Sequence, residues 1–124
     1  MERTFTLLGA LLMFLAVGLG AFGAHALRAP FAANPRLSEI YETAVRYHMI
    51  HALAMLFVAW ATTRWPVPPA NWSGYLFLVG IILFSGSLYL LSLGGPRWLG
   101  AITPLGGLAF LAGWLSLLLA AWRG

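Results

Sequence analysis

The charged positions come at wide intervals, and the apolar stretches between them set the architecture. Residues 4–27, 47–63, 65–96 and 98–122 carry no charged side chain, and an arginine stands at each boundary. A helix needs about 17–25 predominantly apolar residues to cross the hydrocarbon core of a bilayer. All four runs qualify, the second only at the lower limit. Backbone groups in lipid must be satisfied within their own segment, and none of the runs shows the two-residue alternation of a barrel strand. The pattern therefore predicts an all-α fold, an integral membrane bundle of four transmembrane helices in a single domain over 1–124.

The breakers place the ends. The first helix is predicted over 5–26, followed by a linker over 27–38 that holds Pro30 and Pro35. Ser38 reads as an N-cap, with Glu39 and Glu42 in the first turn where the helix dipole favours acids. The second helix then runs over 39–64 and ends before Pro66, Pro68 and Pro69. A third is predicted over 72–93, closed by Gly94, Gly95 and Pro96. The fourth, over 104–122, starts at Thr103-Pro104, an N-cap followed by proline at the first helical position, with residues 97–102 as a short interfacial piece. One continuous helix kinked at Pro104 is the alternative. Ala24-His25-Ala26 looks like a signal-peptide cleavage site, but Glu2 and Arg3 leave the amino-terminal region without net positive charge, so the first helix is read as retained. Small residues recur every fourth position at Ala16, Gly20 and Ala24, at Ala109 and Gly113, and at Ala112, Ser116 and Ala120. Such seams let helices approach closely, within the bundle or in a homo-oligomer or larger membrane complex.

Composition agrees. Of 124 residues 61% are hydrophobic and 8% charged, against about 25% charged in soluble domains. The seven cations are all arginine and the net charge is +4. Scattered between apolar runs, they suit anionic lipid headgroups and not nucleic acid, which needs basic residues clustered on one face. The absence of cysteine excludes disulfides, thiolate metal sites and cysteine nucleophiles.

Antiparallel helices sort the remaining polar residues into two halves. One half holds His25, Arg28, Glu39, Glu42, Arg46, His48, His51, Ser85, Ser87, Tyr89, Arg97 and Thr103. The other holds Trp60, Trp65, Trp72, Trp114 and Trp122, in the manner of an interfacial aromatic belt. Glu42 and Arg46 are four apart with the acid first, the favourable order for an ion pair. His48 and His51 share a helix face with Tyr41, Ala44 and Met55, roughly opposite Glu42 and Arg46. Polar residues at that depth are functional candidates. The candidate ligand or proton site is thus His25, Glu42, Arg46, His48, His51, Ser85 and Ser87. Neutral imidazoles hydrogen-bonded across the bundle are the plainest reading. A proton relay through His48, His51 and Glu42 is the second, and a haem or metal held by His25 with His48 or His51 the third. No metal site or cofactor is expected, since no acidic ligand lies deep enough and no phosphate loop or dinucleotide fingerprint occurs. Ser85-Gly86-Ser87 does not match a nucleophile elbow, and serines there more often bond back to their own helix.

Four strings carry a resemblance: Gly-Ala-Phe-Gly-Ala-His-Ala-Leu (20–27), Thr-Ala-Val-Arg-Tyr-His-Met-Ile-His-Ala-Leu (43–53), Phe-Ser-Gly-Ser-Leu-Tyr (84–89) and Leu-Gly-Ala-Ile-Thr-Pro-Leu-Gly-Gly (99–107). Together they resemble the small bacterial inner-membrane family known as domain of unknown function 423, which has small animal transmembrane relatives of unassigned role. The resemblance covers nearly the whole chain. It implies a four-helix membrane fold and brings no activity, cofactor or catalytic residue. The expected function is a non-enzymatic accessory, assembly or small-ligand or lipid-binding membrane subunit. The rival is an oligomeric transporter or proton-conducting unit using His48 and His51. The resemblance implies a multi-pass protein of the bacterial inner membrane, and arginine counts of four against three place both termini outside the cytoplasm.

Overall fold

The computed structural model describes all 124 residues and contains helices and turns with no strand. Helix α1 (Glu2–His25) leads through a short α2 (Arg28–Ala33) into the long α3 (Pro35–Arg64). Helix α4 (Pro68–Gly80) passes through one π turn (Ile81–Ser85) into α5 (Gly86–Ser92). A 3₁₀ turn (Arg97–Ala101) precedes α6 (Thr103–Arg123). Four segments, α1, α3, α4 with α5, and α6 with its 3₁₀ turn, are long and apolar enough to cross a membrane.

Proline sets most of the ends. A residue before proline is driven out of the helical region. Asn34, Trp65 and Val67, each followed by proline, are extended at φ −141°, −129° and −121°. Pro35 opens α3, where its missing N–H has no partner to lose. The helix therefore starts a turn before the Ser38 cap expected from the sequence, and Ser38 lies inside it. Residues 28–33 of the predicted linker are helical. Pro104 stands in the first turn of α6, and Ile102 before it keeps helical backbone (φ −80°, ψ −34°), so the 3₁₀ turn and α6 run on as one span, Arg97–Arg123. Gly94 closes the hairpin at φ +94°, a conformation glycine adopts without Cβ strain.

The buried positions follow a seven-residue rhythm. In α3 they include Tyr41, Ala44, His48, His51, Met55 and Val58, spaced alternately three and four apart. In α6, Gly106, Phe110, Gly113, Leu117 and Ala120 repeat the rhythm. In α1, Gly9, Ala16 and Gly23 stand seven apart. A 3.5-residue period keeps one seam facing its neighbour in left-handed packing. The four-residue seams expected from the sequence are only partly used. Ala16, Gly113, Ser116 and Ala120 are buried, but Ala24 is exposed and Gly20, Ala109 and Ala112 are half-buried. A four-residue seam suits right-handed crossings, whereas the buried positions here follow the seven-residue spacing of left-handed packing.

Helix α3 is the centre. It packs on α1 along one side and on α4, the π turn and α5 along the other, while α6 packs mainly on α4 and the π turn. Phe5 reaches from the start of α1 to Gly74 and the edge of Tyr75. Met55, Val58, Phe77 and Phe110 fill the core with it. Large apolar side chains such as Phe14, Leu111 and Trp122 point outward, as a lipid-facing surface requires.

The sequence pattern predicts an unbroken α-helix where the π turn lies. A π turn adds a residue to the helix and rotates the face presented by every residue after it. Two contacts accompany it: the Ser85 hydroxyl donates to the Ala44 carbonyl of α3 (2.8 Å), and Gly106 of α6 presses on the Phe84 backbone. A Cβ on Gly106 would collide with the Phe84 amide nitrogen and Cα, whereas one on Gly107 would meet only Phe84 Cδ2 at 3.9 Å. Gly106→Ala is expected to lower stability by about 1–3 kcal/mol, and Gly107→Ala to leave it within about 0.5 kcal/mol. Thermal unfolding in detergent, followed by tryptophan fluorescence, checks the pair. Equal melting temperatures would show that α6 does not seat on the π turn.

Candidate functional site

The polar half splits into a buried, bonded interior and an open groove. His51, 3% exposed, is the hub of the interior. The Trp114 indole Nε1–H of α6 donates to His51 Nε2 (3.1 Å). An indole can only donate, so Nε2 must be the bare nitrogen and Nδ1 carries the proton. Nδ1–H then donates to the Tyr47 carbonyl one turn back (2.7 Å). The imidazole lies flat on Phe110, with ring centroids 3.5 Å apart and planes 8° apart, and Phe77 and Trp114 flank it. Both nitrogens are committed and aromatic rings enclose the ring. This is a neutral structural imidazole tying α6 to α3. Trp114 belongs to this cluster and not to a belt at the opposite interface.

His48, also 3% exposed, takes the other tautomer. Its Nδ1 lies 2.8 Å from the Tyr89 hydroxyl of α5. That hydroxyl meets no other acceptor, so it donates to Nδ1, and the ring proton sits on Nε2. Nε2 is buried without a partner and faces the Leu12 carbonyl of α1 outside hydrogen-bonding geometry. The Tyr89 ring meets the edge of Tyr41 (5.4 Å), and the Tyr41 hydroxyl donates to the Leu19 carbonyl of α1. Ser85 bonds across to α3 through the Ala44 carbonyl. Ser87 shares a hydrogen bond with Thr103 and donates to the Phe84 carbonyl (3.0 Å). Neither serine hydroxyl meets a histidine, so no nucleophile–base pair forms.

His25 does not join this interior. It is exposed at the end of α1, thirteen residues and hence roughly 20 Å along the axis from the Leu12 that faces His48. The pairing of His25 with His48 or His51 considered for haem is therefore not assembled. Nor is the relay through Glu42, which is exposed on the far side of α3 and bonds to neither imidazole. No three histidine or acidic side chains come together.

Glu42 and Arg46 instead face a groove of about 770 Å³ between the end of α1, α2 and the first turns of α3. Gly20, Gly23, Val45 and Met49 form its apolar part, while Arg28, Glu39, Glu42 and Arg46 supply charge. The ion pair expected between Glu42 and Arg46 does not form, because both side chains extend into the groove without a partner within 4 Å. The site expected from the sequence omits Arg28, Glu39 and Tyr41. The i, i+3, i+7 stripe of Glu39, Glu42 and Arg46 is the signal that points to Glu39; Arg28 and Tyr41 come in through α2 and through the edge of the histidine face.

Comparison with known proteins agrees with this architecture. The family model described as Protein of unknown function (DUF423) matches residues 19–107. This chain belongs to that family. The UPF0382 membrane protein SH2409 of Staphylococcus haemolyticus is 41% identical over 121 residues, covering 98% of this chain and 97% of the relative. The UPF0382 membrane protein YwdK of Bacillus subtilis is 44% identical over 120 residues, covering 96% of each. No solved structure matches the chain. The stretch matched by the DUF423 model spans the groove and both buried histidines, but ends before Phe110 and Trp114.

The His51 hub makes a stability prediction. Trp114→Phe keeps the ring and removes the only N–H, leaving Nε2 buried and unsatisfied, at a cost of about 1–3 kcal/mol. Adding His51→Leu removes the stranded acceptor, so the double variant should fall short of the sum of the single losses. A double-mutant cycle in detergent measures this, and strict additivity would mean that the two rings are not coupled.

Proposed function

We propose that this is a non-enzymatic membrane protein that holds a lipid-like amphiphile in the groove between α1, α2 and α3. One observation carries the reading. The groove joins an apolar floor at Gly20, Gly23, Val45 and Met49 to a rim of four unpaired charges at the level where the bilayer turns polar. Amphiphiles have the same division. The interior of the polar half competes less for this role, because His51 is fully bonded, Ser85 and Ser87 are tied to other groups, and the one unpaired atom, His48 Nε2, is buried outside the groove. We place the protein in the bacterial inner membrane with the groove on the cytoplasmic side. Arg28, Arg36, Arg46 and Arg97 lie on that side, against Arg3, Arg64 and Arg123 on the other.

The test is retention. The tagged full-length protein, extracted from native membranes in mild detergent, should carry a near-stoichiometric amphiphile seen by mass spectrometry of the extract. A Cβ at Gly20 meets only Val45 at 3.5 Å, so Gly20→Leu folds and fills the groove. It should reduce retention about tenfold, the equivalent of about 1.4 kcal/mol. Equal retention by the two proteins would overturn the reading. For topology, a reporter active only outside the cytoplasm should be active when fused after Gly124, and activity of a cytoplasmic reporter there would reverse the assignment.

A further inference from the structure

The charges in the groove are arranged in an order. Along α3, from the bilayer interior outward, the groove presents Met49, then Arg46 with Val45 beside it, then Glu42 and finally Glu39. At 1.5 Å per residue, Arg46 and Glu42 are separated by ~6 Å along the axis, and Arg46 and Glu39 by ~10 Å. Arg28, at the start of α2, adds a second cation on the facing wall. None of the four is neutralised by a partner, and two cations against two carboxylates leave the groove with no net charge.

A glycerophospholipid has the same sequence of groups: acyl chains, then a phosphate, then the headgroup substituent. We infer that the groove selects a zwitterionic phospholipid whose headgroup ends in a primary ammonium, a phosphoethanolamine lipid. This deepens the amphiphile reading and rests on it. The phosphate sits at the depth of Arg46, where a guanidinium supplies a fork of N–H donors. The ammonium reaches one turn further out, where Glu42 and Glu39 accept its N–H bonds. A choline headgroup has no N–H to give them. It is recognised by the open faces of aromatic rings, and the two rings in the groove, Phe31 and Tyr41, pack on each other with centroids 5.3 Å apart. A phosphoglycerol headgroup satisfies the arginines but brings a net negative charge into a groove that is already balanced.

The test uses the delipidated full-length protein and three dioleoyl lipids with identical tails and ethanolamine, choline or glycerol headgroups. Native mass spectrometry reads binding of each. The ethanolamine lipid should bind at least about tenfold tighter than the other two, since each charge-assisted hydrogen bond is individually worth that much. Glu39 and Glu42 are exposed, so the E39Q/E42Q double variant folds, and it should bind the ethanolamine and choline lipids equally and, with two arginines left unbalanced, the glycerol lipid at least as tightly. R46Q should weaken all three, the anionic glycerol lipid most. Equal binding of the three lipids by the wild type, or a preference for ethanolamine over choline that survives E39Q/E42Q, would overturn the headgroup assignment and leave the groove reading intact. Binding of all three that Gly20→Leu does not reduce would remove the groove reading itself.

Discussion

The hydrogen bond from Trp114 to His51 is the constraint on which the assembly turns. Helices α3 and α6 approach each other little through their backbones, and aromatic side chains bridge the space between them. In lipid there is no hydrophobic driving force to close such a gap, because the tails are as apolar as the side chains. Directional contacts must decide the geometry. A donor-only indole meets an imidazole whose other nitrogen is occupied, and the ring is pinned flat on Phe110. The donor-only indole fixes the tautomer of His51, and the contact adds a directional tie to the packing of α6 on α4 and the π turn. With α6 fixed, Gly106 meets the Phe84 backbone at the π turn.

Much of this architecture is legible in the sequence, and the exceptions have physical causes. The spans are legible because charge is expensive in lipid, so arginines mark their boundaries. The shared face of His48, His51, Tyr41, Ala44 and Met55 is legible because helical spacing needs no tertiary information. The π turn is not, since it depends on Gly106, some twenty residues later in the chain. The small-residue seams mislead because spacings of four and of seven both occur in these helices, and the choice of hand is a property of the pair. Trp114 reads as a belt residue on composition, and its partner lies 63 residues away. Membrane half is not depth: His25 shares a half with His48 but stands at a different level.

The two faces of α3 divide the labour. On one face the polar groups are consumed by one another: His48 with Tyr89, His51 with Trp114, Ala44 with Ser85. On the opposite face Glu39, Glu42 and Arg46 stay open, and α1 and α2 stand back far enough to leave a groove. A buried face on which every side-chain polar atom but His48 Nε2 is bonded gives a rigid wall. A wall of that kind can hold separated charges at fixed spacing, and headgroup recognition requires fixed spacing.

The central place of α3 also bears on how the protein is made. It is the most buried of the four spans and the least apolar, since its seam holds two histidines and its first turns hold acids and arginines. The helix that organises the others is therefore the one the bilayer accepts least readily as a lone segment. Helix α1 precedes it, almost uniformly apolar and with its small-residue seam ready. During synthesis α1 enters lipid first and offers α3 a surface to leave the translocation channel against, so the order of helices along the gene matches the order in which the membrane can receive them.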